Sequence, residues 1–192
     1  MNRECLMPVI ISFVICVILG PIVIPFLKRL KVGQTVREDG PQSHLKKNGT
    51  PTMGGIVILF GIAGTSLLYV RDYPKIIPVL FLTLGFGLVG FLDDYIKVVL
   101  KRSMGLSPLQ KMFLQLVVTG IYAYYLNHFA GMSLAMKIPF MENKWIDFGI
   151  FNIPVLFFIV IATVNGTNFT DGLDGLAGSV TVIVATFFTV VA

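Results

Sequence analysis

Residues 76–97 read IIPVLFLTLGFGLVGFLDDYIK. Ile76 to Leu92 hold no charge, and two aspartates then follow side by side. A helix needs roughly 20 apolar residues to cross a hydrocarbon layer of ~30 Å, so this run reads as a span that ends in acid. The pattern repeats outward on both sides. Leu6 to Leu27, Met53 to Val70 and Phe113 to Phe129 are further apolar runs, the last with Tyr122, Tyr124 and Tyr125 as interface anchors. The first is too long for a signal-peptide core and lacks a small-residue cleavage site, so it reads as a retained span, with Pro21 and Pro25 as kink positions. Ile153 to Val164 is short unless the polar residues after it continue the helix. A sixth run starts near Leu176 and is still apolar at Ala192. As a helix it would rise only about 25 Å, so the chain reads as the N-terminal part of a longer protein and is expected to be inactive alone. The fold class expected is an all-α polytopic membrane protein with six helices, the last cut short, as one transmembrane domain over 1–192. Lys137 to Asn152 mix Ile, Phe and Trp145 around Glu142, Asn143 and Lys144, which suits a short amphipathic hairpin.

Composition agrees. Of 192 residues, 55% are hydrophobic and 13% charged, against about 25% charged in a soluble domain. Mean hydropathy is strongly positive. A disordered chain, a disulfide scaffold and an ordinary cytosolic enzyme are excluded. The two cysteines, Cys5 and Cys16, define neither a disulfide framework nor a metal site, and Cys16 reads as packing. The net charge of +5 does not point to nucleic acid, because the basic residues cluster between apolar runs. Segments 28–52 and 93–111 hold ten of the fifteen Lys and Arg residues. The positive-inside rule then puts 28–52, 93–111 and 165–175 in the cytoplasm, and the N-terminus and 130–152 outside.

The polar residues gather in those three loops. The first carries Lys46, Lys47, Thr50 and Thr52 just before Gly54 and Gly55 at a helix start. Exposed N–H groups at a helix N-terminus favour anions, and glycine permits close backbone approach, although no P-loop is present. A basic loop with a turn explains the same residues. In the second, Asp93 and Asp94 face the negative end of the helix dipole and repel each other. Lys97, one turn from Asp93, helps one carboxylate; a divalent cation would help both, since magnesium takes one or two protein carboxylates and fills its shell with water and phosphate oxygens. A solvated interface cluster is the plainer reading. Lys97, Lys101, Arg102 and Lys111 supply cations for phosphates or for anionic lipid headgroups. Gln115, one turn after Lys111, has no evident role beyond the interface. In the third, Asp171 and Asp174 share a face if Asp171 opens a helical turn, and Gly172, Gly175 and Gly178 repeat at three, as in close helix packing. The sequons at Asn48, Asn165 and Asn168 fall in cytoplasmic loops and read as chance matches.

Four strings together resemble one family: His44 through Gly55 with its Gly-Thr-Pro-Thr-Met-Gly-Gly run, Asp93-Asp94-x-x-Lys97, Gly105-Leu106-Ser107 through Lys111, and Asn168-Phe169-Thr170-Asp171-Gly172-Leu173-Asp174-Gly175-Leu176. They look like the phospho-N-acetylmuramoyl-pentapeptide transferases, bacterial members of the polyprenyl-phosphate N-acetylhexosamine-1-phosphate transferase superfamily, and the likeness runs through the whole chain in order. It covers the family's N-terminal helices; the His-rich cytoplasmic motif and a later metal-binding Asp would lie beyond Ala192. The resemblance implies that UDP-MurNAc-pentapeptide gives its phospho-sugar to undecaprenyl phosphate, with Mg2+ as cofactor, forming lipid I and releasing UMP. It implies Asp93 as the base that keeps the lipid phosphate deprotonated, Asp94 as a metal contact, and Lys97 and Lys111 as phosphate holders. Lys47, Thr52, Asn168, Asp171 and Asp174 would line the nucleotide pocket, with Gly172 and Leu173 near uracil. A bacterial plasma-membrane location follows, and a homodimer is compatible with it.

Three rival classes fit the residues less well. A transporter places its acids near the membrane midplane, whereas these lie at helix ends on one side. A CDP-alcohol phosphotransferase needs a longer Asp-Gly pattern that is absent. A transferase using UDP-N-acetylglucosamine is disfavoured by the first-loop string.

Overall fold

The computed structural model describes residues 3–29, 53–99, 105–129, 133–138, 141, 144–171 and 175–191. Lys47, Thr52, Gly172, Leu173 and Asp174 lie outside the described residues. Six α-helices occur among those described: α1 Arg3–Arg29, α2 Gly55–Tyr69, α3 Ile76–Val99, α4 Pro108–His128, α5 Asn152–Thr170 and α6 Leu176–Val191. Three stretches, Leu6–Arg29, Ile76–Val98 and Gly149–Thr170, are long and apolar enough to cross a membrane, and α2 and α6 are shorter apolar helices. The protein is an all-α membrane protein, and its burial pattern is that of one. Phe13, Leu67, Phe158 and Phe188 are all more than 60% exposed, while the buried polar side chains are Thr65, Asp93, Gln115, Thr119 and Asn152. In water such apolar exposure would drive aggregation; in lipid it is the solvated surface.

The chain forms two compact units that divide within α4, between Leu114 and Gln115. In the first unit, α1 packs on α2 through small residues. A Cβ on Gly61 would sit 2.5 Å from Cys16 Sγ and 3.3 Å from the Ser12 carbonyl, and one on Gly87 would sit 2.7 Å from Leu59 of α2. Without a hydrophobic drive between helices in lipid, such close approach is what holds them together. Cys16 is the packing residue expected: its S–H donates to the Val57 carbonyl at 3.6 Å. Of the glycine repeat singled out near residue 175, Gly175 and Gly178 have no described neighbour where a Cβ would go.

In the second unit, α5 is longer than its apolar core because its polar residues bond to their own helix. Thr163, Thr167 and Thr170 donate to the carbonyls of Ile159, Thr163 and Gly166 at 2.7, 2.9 and 2.9 Å. Asn165 and Asn168 are therefore helical rather than loop residues. Asn165 also forms a reciprocal amide pair with Gln115: its Nδ2 donates to Gln115 Oε1 at 2.9 Å, and Gln115 Nε2 donates back at 3.4 Å. Gln115 is thus a buried interhelical contact, 1% exposed, rather than an interface residue. Before α5, β1 Met136–Lys137 pairs antiparallel with β2 Trp145–Ile146. This is the hairpin expected, but it starts one residue earlier and stops at Ile146. Beyond it, Asp147 Oδ1 accepts the Gly149 N–H at 2.8 Å and Asn152 Nδ2 at 2.6 Å, turning the chain into a 3₁₀ turn at Gly149–Phe151 and then α5. These two donors hold the Asp147 carboxyl below its ordinary pKa. Gly149 takes φ +57°, a conformation open to glycine at little cost.

Candidate active site

The site is built where α3 ends. Successive residues on a helix point about 100° apart, so adjacent aspartates cannot share one environment. Asp93 turns inward and is 8% exposed; the Asp94 side chain remains 40% exposed. Helix α3 runs past the apolar stretch that ends at Leu92 and past both acids, to Val99. That extra length keeps Lys97 on regular helical spacing from both acids. Its Nζ lies 2.6 Å from Asp93 Oδ2 and 3.6 Å from Asp94 Oδ1. One lysine therefore serves both carboxylates, where the spacing had suggested one.

A second brace comes from the start of α4. The Leu106 backbone N–H donates to Asp93 Oδ1 at 2.8 Å. Its position is set by a capping box: Ser107 N–H donates to Gln110 Oε1 at 3.0 Å, and Gln110 N–H donates to Ser107 Oγ at 3.3 Å. Pro108 occupies the first helical position, where its missing N–H costs nothing. One turn on, Lys111 Nζ lies 4.0 Å from Asp93 Oδ2. Asp93, Asp94, Lys97 and Lys111, four of the residues singled out from sequence, thus meet in the first unit. Both Asp93 oxygens are engaged by donors that favour its ionised form, and cations stand on two sides. Such a cluster can orient an anionic phosphate group and offset its charge. Asp94 has an open carboxylate suited to a hard cation, although no group of three or more His, Cys, Asp or Glu gathers among the described residues.

Of the third-loop residues, Asn168 is exposed near the end of α5 and Asp171 follows the helix as its C-cap, its N–H donating to the Thr167 carbonyl at 3.2 Å. Asp171 therefore closes a helix, where the sequence had allowed it to open one. They belong to the second unit. The Leu106 N–H was missed in the sequence because a backbone donor has no residue signature. The Ser107-x-x-Gln110 box beside it was the available signal.

An apolar cavity of about 500 Å³, lined by residues including Pro8, Thr65, Tyr69 and Val79, lies toward the opposite end of α3 from the acids. It has no part in this cluster.

Comparison with known proteins agrees with the geometry. The model of glycosyl transferase family 4 matches residues 76–192, and phospho-N-acetylmuramoyl-pentapeptide-transferase signature 1 matches residues 47–59. The phospho-N-acetylmuramoyl-pentapeptide-transferase of Acetivibrio thermocellus is 50% identical over 184 residues, 95% of this chain and 55% of the relative. That of Caldicellulosiruptor bescii is 47% identical over 191 residues, 100% of this chain and 59% of the relative. That of Clostridioides difficile is 49% identical over 179 residues, 93% of this chain and 55% of the relative. The chain spans less than two thirds of the length of each. With a family model covering more than half of it and the acid cluster falling inside that match, the chain belongs to glycosyl transferase family 4.

Proposed function

We propose that the whole protein of which this sequence forms part transfers phospho-MurNAc-pentapeptide from UDP-MurNAc-pentapeptide to undecaprenyl phosphate, giving lipid I and UMP for peptidoglycan synthesis. The observation that carries this reading is the signature match at residues 47–59, on the very Gly-Thr-Pro-Thr-Met-Gly-Gly run singled out in the first loop. The braced acid cluster supports it chemically. Phosphoryl transfer asks a protein mainly to position anions and neutralise charge, and that is what Asp93, Lys97 and Lys111 are arranged to do. Asp93 is the base that keeps the lipid phosphate ionised. Asp94 contributes to a Mg2+ site, where the cation would supply charge stabilisation for the phosphates. Lys97 and Lys111 hold phosphate, and Lys47, Thr52, Asn168, Asp171, Gly172, Leu173 and Asp174 serve the nucleotide sugar. The deciding experiment measures UMP release by the full-length protein with polyprenyl phosphate and magnesium, offering UDP-MurNAc-pentapeptide and UDP-N-acetylglucosamine in turn. Release with the first alone is expected. Release only with the second would move the protein to the rival transferase, and release with neither would remove the reading.

The ten-to-five charge split supports a bacterial plasma-membrane protein with its N-terminus outside and the acid cluster in the cytoplasm. In a background lacking Cys5 and Cys16, single cysteines at Gln42 and Leu109 are expected to resist an impermeant thiol reagent on intact cells and to react after permeabilisation. Ready labelling of both on intact cells would invert the topology.

A further inference from the structure

We propose that Gly105 is a positioning residue: its lack of a side chain lets the 105–106 backbone lie against Asp93, so that the Leu106 N–H fixes the carboxylate for reaction. This deepens the reading above and rests on the role given there to Asp93.

Three contacts converge on Gly105. A Cβ built there would collide with Asp93 Oδ1, lie 2.6 Å from the Asp93 carbonyl oxygen and lie 2.8 Å from Lys97 Cε. Real Cβ atoms do not come this close to other heavy atoms, so something would have to move. The carbonyl belongs to α3 and cannot yield without disturbing the helix. Asp93 Oδ1 is the acceptor of the Leu106 N–H, and Lys97 carries the cation bound to Oδ2. The three nearest atoms to the missing side chain thus all belong to the acid cluster. Gly105 is not among the glycines with positive φ, so glycine is required by space rather than by backbone conformation. On its other side the loop is pinned by the Ser107–Gln110 capping box. It therefore cannot retreat from an added methyl while keeping the Leu106 N–H at 2.8 Å from Asp93. The carboxylate is held by Leu106 on Oδ1 and Lys97 on Oδ2, and a side chain at Gly105 would press on both Oδ1 and Lys97.

The test uses full-length protein and UMP release. Gly105→Ala is expected to lower kcat by about tenfold or more, because misplacement of a reacting group by about 1 Å costs up to ~10²-fold. The KM for the nucleotide sugar is expected to stay within about threefold, with some loss of thermal stability in detergent from the crowding against α3. A double-mutant cycle with Asp93→Asn isolates the route. If Gly105 acts through Asp93, Gly105→Ala should cost less than about twofold once Asp93 is already Asn. A second variant removes the donor without adding volume: Leu106 is replaced by its α-hydroxy acid through nonsense suppression, turning the N–H into an ester oxygen. A kcat loss of about fivefold or more is expected, and this variant keeps the proposal testable should Gly105→Ala fold poorly. Parental kcat in either variant, or losses that multiply in the cycle, overturn the positioning role. Parental turnover in Asp93→Asn would instead remove the role of Asp93 itself.

Discussion

Asp93→Asn in the full-length protein is expected to lower the turnover of UMP release by about 10²-fold or more, the scale of a lost general base or charge stabiliser. The argument lies in the donors around it. Asp93 accepts from the Lys97 ammonium at one oxygen and from the Leu106 N–H at the other. An amide has one acceptor atom, so the Asn variant satisfies one donor and turns its own NH2 toward the second. Charge, basicity and orientation are lost together in a nearly buried setting, while volume is kept. Membrane insertion should persist. Nucleotide affinity should change less than turnover, because the residues assigned to the nucleotide lie in the first loop and in segment 168–174. Asp94→Asn should also lower turnover, with partial recovery at higher magnesium, since the more open carboxylate is the one assigned to the metal. At matched expression, near-parental turnover in both variants would eliminate the assigned mechanism.

Lys97→Met should produce a loss of similar size by the opposite route. Here the acids remain and their shared cation goes. Asp93, almost without solvent, would then keep only the Leu106 N–H and the Lys111 ammonium 4.0 Å away, beside the like charge of Asp94. The expected result is turnover reduced by about 10²-fold together with a lower unfolding temperature, because loss of the nearest counter-charge affects folding as well as reaction. Lys97→Arg separates the two effects. It restores the charge, and so most of the stability, but a planar guanidinium cannot reproduce the point contact of the Lys97 ammonium with Asp93 Oδ2. Its turnover is expected to stay well below that of the parent. Kinetics and thermal unfolding on the same detergent-purified samples decide the matter. Unchanged turnover in the Met variant would mean that Lys97 is only a surface counter-ion.

What could be read beforehand follows a physical division. Local periodicity was legible. The apolar runs located α1 through α6, and the spacing of Lys97 from Asp93 announced that those two would meet on one helix; that Lys97 also reaches Asp94 was not read. Contacts made by the folded chain across distance were not. Lys111 reaches Asp93 only because a capping box starts α4 at Pro108, and the Leu106 amide carries no residue-specific mark. Gln115 and Asn165 each looked incidental until the fold paired them. The polar end of α5 was ambiguous because threonine and asparagine suit loops in water, yet in a membrane helix they bond to carbonyls one turn back. The glycine repeat near residue 175 makes a related point. Spacing shows that a close approach is allowed, but the partner surface decides where it happens, and here that is at Gly61 and Gly87.

The amide pair between Gln115 and Asn165 also sets a timetable for biosynthesis. Fifty residues separate the two partners along the chain. At a synthesis rate of ~5–20 residues per second, Gln115 leaves the ribosome about 3–10 s before the group that satisfies it. For those seconds α4 carries its amide with no mate in the membrane, where an unpaired polar group is costly. The helix is best accommodated if it waits beside the insertion machinery and leaves with α5, so that the two enter the bilayer as a joined hairpin rather than in single file.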